Sequence, residues 1–91
     1  MAFEWDPLKA AANFRKHGIR FSDSLPVFQD GYAVTLIDDE SDPLEQRFVA
    51  IGLGVKNRVL TIVYCYREAN IRIISARLAS RGEREQYEGD R

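Results

Sequence analysis

A chain of 91 residues with 13 basic and 14 acidic side chains, a net charge of −1 and one cysteine is long enough for one core and too short for two. The near-neutral total excludes nucleic-acid binding by bulk charge alone, the lone Cys65 excludes an intrachain disulfide, and no apolar run approaches the roughly 18 to 20 residues that cross a bilayer. The opening stretch, with Glu4 and Asp6, has acid where a secretory signal has base and no apolar region after it, so the expectation is a single cytoplasmic domain over residues 1–91 with no membrane contact.

Phe3-Glu4-Trp5 alternates as a short edge strand, and Asp6-Pro7 supplies an N-cap followed by proline at the first helical position. The helix this predicts runs to His17 and ends at Gly18, with Ala10, Ala11 and Phe14 on its core face and Lys9, Asn13 and Lys16 opposite. Ser22 is a second cap, predicting a short helix over 22–29 with Leu25 and Phe28 inward and Pro26 near its first turn. Asp30-Gly31 turns the chain into a strand over 32–37, and residues 38–45 form an acidic loop carrying Asp38, Asp39, Glu40, Asp42 and Glu45.

Strands over 47–53 and 58–67 follow, joined by a turn at 55–57, and Glu68-Ala69 turns into a last strand from Asn70. Ser80 stands three residues before Glu83, the spacing of a capping box, so a C-terminal helix begins there and carries Arg84 and Tyr87. The order strand, two helices, four strands, helix predicts an α+β fold: a small antiparallel sheet, made of a four-stranded meander and the N-terminal edge strand, with the two N-terminal helices packed on one face. The opposite face is then free.

Ten of the 13 basic residues are arginine, five of them between 67 and 84. The planar guanidinium suits phosphate better than lysine does, and arginines in a strand apolar enough for a sheet centre need either carboxylates or an anionic ligand. Simple alternation puts Arg72 and Arg77 on opposite faces of the last strand, with Arg72 free to pair with Glu68 or another acid. One histidine and one cysteine supply no metal set, no lysine-serine pair follows Gly52-Leu53-Gly54 to make a phosphate loop, and no cofactor is implied. Cys65, among Val63, Tyr64 and Tyr66, reads as a buried structural thiol.

What remains suffices for metal-independent RNA cleavage. That reaction needs a base for the ribose 2′-hydroxyl, cations for the pentavalent phosphorane and an acid for the leaving 5′-oxygen. The candidate catalytic residues are His17, Arg47, Arg67, Arg77 and Tyr87; the candidate RNA-binding residues are Lys16, Arg72, Arg81 and Arg84. Each also has a plainer reading: His17 as a helix C-terminal residue favoured by the macrodipole, the arginines as surface ion pairs, Tyr87 as packing.

Several segments together resemble the BrnT family of toxins from type II toxin–antitoxin systems. They are Phe3-Glu4-Trp5-Asp6-Pro7 with Lys9 and Asn13, Lys16-His17-Gly18 with Phe21, Arg47-Phe48 with Ile51-Gly52, Val63-Tyr64 with Arg67, Ile71-Arg72-Ile73-Ile74-Ser75-Ala76-Arg77, and Glu83-Arg84 with Tyr87. The resemblance implies a RelE-like fold, growth inhibition by ribonuclease action, and neutralisation by a cognate ribbon-helix-helix antitoxin of the BrnA type that alone contacts operator DNA. The alternative is a non-catalytic binding module that acts only in complex with such an antitoxin. The acidic loop and the slightly negative total are less suited to RNA than a strongly basic chain would be.

Overall fold

The computed structural model describes residues 2–38 and 44–89, so the middle of the acidic loop, 39–43, lies outside the described residues. One five-stranded sheet is built from Phe3–Glu4 (β1), Val34–Ile37 (β2), Arg47–Leu53 (β3), Val59–Arg67 (β4) and Asn70–Leu78 (β5), in the order β1-β5-β4-β3-β2. β2 to β5 make the antiparallel meander that the short turns predict. β1 departs from the expected antiparallel sheet: it pairs parallel to β5, Phe3 with Ile71 and Glu4 with Arg72, which makes the sheet mixed. The helical crossover after β1 permits this pairing, whereas the short links between β3, β4 and β5 enforce antiparallel neighbours.

The register of β5 is broken once. Val63 faces Ser75, but Tyr64 faces Ile73, so Ile74 is an extra residue with no partner on β4. Such a bulge shifts the phase of alternation by one. Ile71, Ile73 and Ala76 therefore all enter the core, with Ala50, Leu60, Ile62 and Tyr64 of β3 and β4 and with Ile19, Phe21 and Val27 of the helical layer.

Pro7–His17 (α1) starts at the predicted cap, where the Asp6 carboxylate accepts from the Leu8 N–H at 2.8 Å, and stops at Gly18, whose φ of 71° only glycine adopts without strain. Its buried side is only partly the predicted one, since Ala10 packs against the core as expected. Leu8 is 80% and Phe14 41% exposed, while Asn13 is buried. The Asn13 amide donates to the Ile19 carbonyl at 3.0 Å and to the Ala76 carbonyl at 2.7 Å, and its oxygen accepts from the Ala76 N–H at 3.1 Å. It thus pairs with the edge of β5 where β1 has ended. Buried backbone groups need partners, and that need overrides the apolar wheel.

The second helical segment begins at Phe21, one residue earlier than predicted, and is a 3-10 helix, Phe21–Gln29. Asp23 takes over the capping role given to Ser22, accepting from the Arg20 N–H at 3.1 Å. The Ser24 hydroxyl donates back to the Phe21 carbonyl at 2.6 Å, and Pro26 has no N–H to give to an α-helical ladder.

Arg81–Glu88 (α2) has the predicted capping box, Ser80 Oγ accepting from the Glu83 N–H at 3.2 Å and the Glu83 carboxylate from the Ser80 N–H at 2.8 Å. It lies against β3 on the face away from α1, so that face is partly covered rather than free.

Asn13→Ala leaves the Ala76 N–H and two carbonyls unpartnered and is expected to lower the unfolding free energy by about 3 kcal/mol in urea titration, against about 1 kcal/mol or less for Leu8→Ala.

Candidate anion-binding face

Side chains paired across antiparallel strands share a face. Arg47 pairs with Cys65 and Cys65 with Arg72, so β3, β4 and β5 present one transverse row, Arg47–Cys65–Arg72, on the face opposite the core cluster. Arg67, two residues beyond Cys65, stands on the same face, and so does Arg77, which pairs with Thr61. The expectation that Arg72 and Arg77 point to opposite faces fails because of the bulge at Ile74.

The row is neutralised unevenly. Arg72 Nη1 lies 3.3 Å from Glu4 in a half-buried pair, and Arg67 Nη2 lies 3.5 Å from Glu45 in an exposed one. Glu45 also accepts from the Cys65 thiol at 3.3 Å; burial and the carboxylate together push that thiol above its ordinary range, so Cys65 serves as packing. Arg47 has no ion-pair partner among the described residues, and its Nε is buried without a hydrogen-bond partner. Arg47 is thus the arginine of this face that has no carboxylate among the described residues.

Arg77 is differently employed. Four positions from the row along β4, roughly 13 Å away at the rise of a strand, it makes a bidentate pair with Glu83, 2.6 and 2.9 Å. Glu83 also accepts from the Thr61 hydroxyl at 3.0 Å. The Arg77 guanidinium, the Ser80 N–H and the Thr61 hydroxyl hold the Glu83 carboxyl down to about 2. This cluster fastens α2 to the sheet.

His17 and Lys16 come from the basic last turn of α1. With Lys9, Asn13, Ile74 and Ser75 they line a shallow groove of about 240 Å³ along the edge of β5, between the positions of Arg72 and Arg77. The other predicted residues lie elsewhere. Arg81 is exposed and pairs with Glu85 one turn on, at 3.3 Å. Arg84 lines a groove with Arg58 and Glu88 where β4 begins and β5 ends. Tyr87 is buried, its hydroxyl donating to the Asp30 carboxylate, which also accepts from the Leu53 N–H at the end of β3 remote from Arg47.

Sequence reasoning missed Glu4 and Glu45 as neighbours of these cations, whereas the helical wheel already set Lys9 beside Lys16. Glu4 was readable, because Phe3 and Trp5 turned inward leave it on the opposite face. Glu45 was masked by the acid around it in the sequence.

The model of one family, described as the ribonuclease toxin BrnT of type II toxin–antitoxin systems, matches residues 5–83. The chain belongs to the BrnT family. Its fold matches the crystal structure of the Brucella abortus ribonuclease toxin BrnT with a TM-score of 0.68 and 24% identity, over 89% of this chain and 99% of that one. No curated protein matches the sequence. As a BrnT-family toxin the chain has an antitoxin as its partner. The row Arg47–Cys65–Arg72, the neighbouring Arg67 and Arg77 all lie within the part matched to BrnT, as do Lys16 and His17.

Because the Glu83 carboxyl titrates below its ordinary value of 4.5, its ion pair stabilises the fold fully above that pH and is lost as pH falls from 4.5 towards 2. Glu83→Gln is expected to flatten the stability–pH curve over that interval by roughly 1–2 kcal/mol after solvent screening, measured by denaturant unfolding at successive pH values.

Proposed function

We propose that this BrnT-family chain inhibits growth as a cytoplasmic endoribonuclease that needs no metal ion and cleaves RNA by attack of a ribose 2′-hydroxyl on the adjacent phosphorus. The observation that carries the reading is the arginine row with Arg47 uncompensated in it. An exposed ion pair such as Arg67–Glu45 is worth little and yields readily to a phosphate, which takes the planar fork bidentately.

In this mechanism Arg47, Arg67 and Arg72 hold the scissile phosphate and stabilise the charge that grows on its equatorial oxygens. His17, from the β5-edge groove, exchanges protons with the reacting oxygens, assisted by the positive charge of Lys16. The 2′-hydroxyl loses its proton as its oxygen bonds to phosphorus, the bond to the 5′-oxygen breaks, and that oxygen takes a proton. The products are a 2′,3′-cyclic phosphate and a 5′-hydroxyl end. Tyr87 has its hydroxyl on Asp30 and takes no part, Arg77 positions α2 through Glu83, and Arg81 and Arg84 contribute at most to distant backbone contacts. A BrnA-type ribbon-helix-helix antitoxin neutralises the toxin and carries any contact with operator DNA.

A second reading, a non-catalytic module that works only with its antitoxin, is favoured by one observation: Arg67, Arg72 and Arg77 each face a carboxylate.

Purified chain freed of antitoxin is expected to cut a single-stranded RNA in EDTA, leaving cyclic-phosphate ends by mass spectrometry, and to leave the DNA of the same sequence intact. Arg47→Ala and His17→Ala should each lower the rate by about 100-fold or more while circular dichroism and melting stay near wild type. Intact RNA with the native chain overturns the enzyme reading and leaves the binding module.

A further inference from the structure

We infer that the outer edge of β2 is the place where the antitoxin adds a strand to this sheet. The Asp38 N–H donates to the Arg47 carbonyl at 3.0 Å, and the register pairs Leu36 with Val49 and Val34 with Ile51. In an antiparallel ladder, residues alternate between those that bond to the neighbour and those that bond away from it. Val34, Leu36 and Asp38 therefore face β3 with their backbone groups, and Thr35 and Ile37 direct theirs outward. No described residue bonds to the outward N–H and C=O groups of that pair.

The opposite edge of the sheet is managed quite differently. There β1 covers the start of β5, and the Asn13 amide satisfies Ala76 beyond it. Soluble proteins normally guard an open edge with lysine, proline or a bulge. β2 has none of these: its four residues are Val34, Thr35, Leu36 and Ile37, of which Leu36 is 40% and Ile37 61% exposed. Leu36 stands on the arginine face and Ile37 on the other, beside Phe48, so an added strand would find an apolar neighbour on each side.

Charge selects the occupant. Asp30 precedes β2, and Asp38, Asp39, Glu40, Asp42 and Glu45 follow it in sequence. A second copy of this chain laid parallel would set Asp38 against Asp38, whereas an extended partner segment with alternating apolar residues and lysine or arginine flanking at the Asp38 end is complementary. Family membership supplies such a partner in the antitoxin. The inference rests on that membership and not on the ribonuclease reading.

The test is amide hydrogen exchange on the free chain and on the complex purified after co-expression with the antitoxin from the same operon. Free, the Thr35 and Ile37 amides are expected to exchange as fast as unstructured backbone; in the complex they should slow by about 100-fold or more. Ile37→Pro removes only an outward donor, so it should keep the β2–β3 ladder and weaken the complex about tenfold or more, while Leu8→Lys on the exposed side of α1 leaves it unchanged. Equal exchange of the two amides in both states overturns the inference. So does undiminished binding by a folded Ile37→Pro chain, or protection in the free chain accompanied by a dimeric mass.

Discussion

Ile74, the residue of β5 with no partner on β4, governs what the sheet can present. Strict alternation through this strand would align Arg72 with Ala76 and send it towards the core, with Ile71 and Ile73 turned to the other face. A guanidinium in an apolar core costs several kcal/mol and two isoleucines in water cost a few more. One bulge removes both penalties, because it lets Ile71, Ile73 and Ala76 share the core while Arg72, Ser75 and Arg77 share the opposite face. The same irregularity lies beside the groove where Lys16 and His17 approach β5. Bulges recur beside active sites because they aim side chains that a regular strand would misdirect.

The arginines on that face divide by how tightly each is held. Arg77 is locked in a short bidentate pair whose carboxylate also caps α2 and takes the Thr61 hydroxyl. Its guanidinium works for the fold. Arg67 and Arg72 have longer contacts with Glu45 and Glu4, and Arg47 has no acid among the described residues. The net charge of −1 therefore says little about this face, where Arg47 stands without a carboxylate partner among the described residues.

The two edges of the sheet show how one small domain meets both duties of a toxin. On the β5 side, β1 and the Asn13 amide close the ladder and bring α1 with its basic last turn alongside. On the β2 side the ladder stays open, and the exposed Leu36 and Ile37 invite a partner. Under the two proposals above, RNA and antitoxin address different margins of the sheet, with β3 and its Arg47 lying next to the open strand.

Local rules carried the sequence a long way. The caps at Asp6 and Ser80, the left-handed stop at Gly18 and the tight link from β4 to β5 each depend on residues a few positions apart, and each is legible because the interaction that fixes it closes within a turn. The family, too, was readable in short segments spread over the chain. What only the tertiary structure decided are the pairings made across long stretches of chain. These are β1 running parallel to β5, Asn13 bonding to Ala76 across 63 positions, Tyr87 bonding to Asp30 across 57, and the phase of β5. A helical wheel or an alternation count weighs apolar burial alone. Each of those outcomes was set instead by a backbone or polar group that had to find a partner once the elements had met, and the partner is specified by three-dimensional position rather than by spacing.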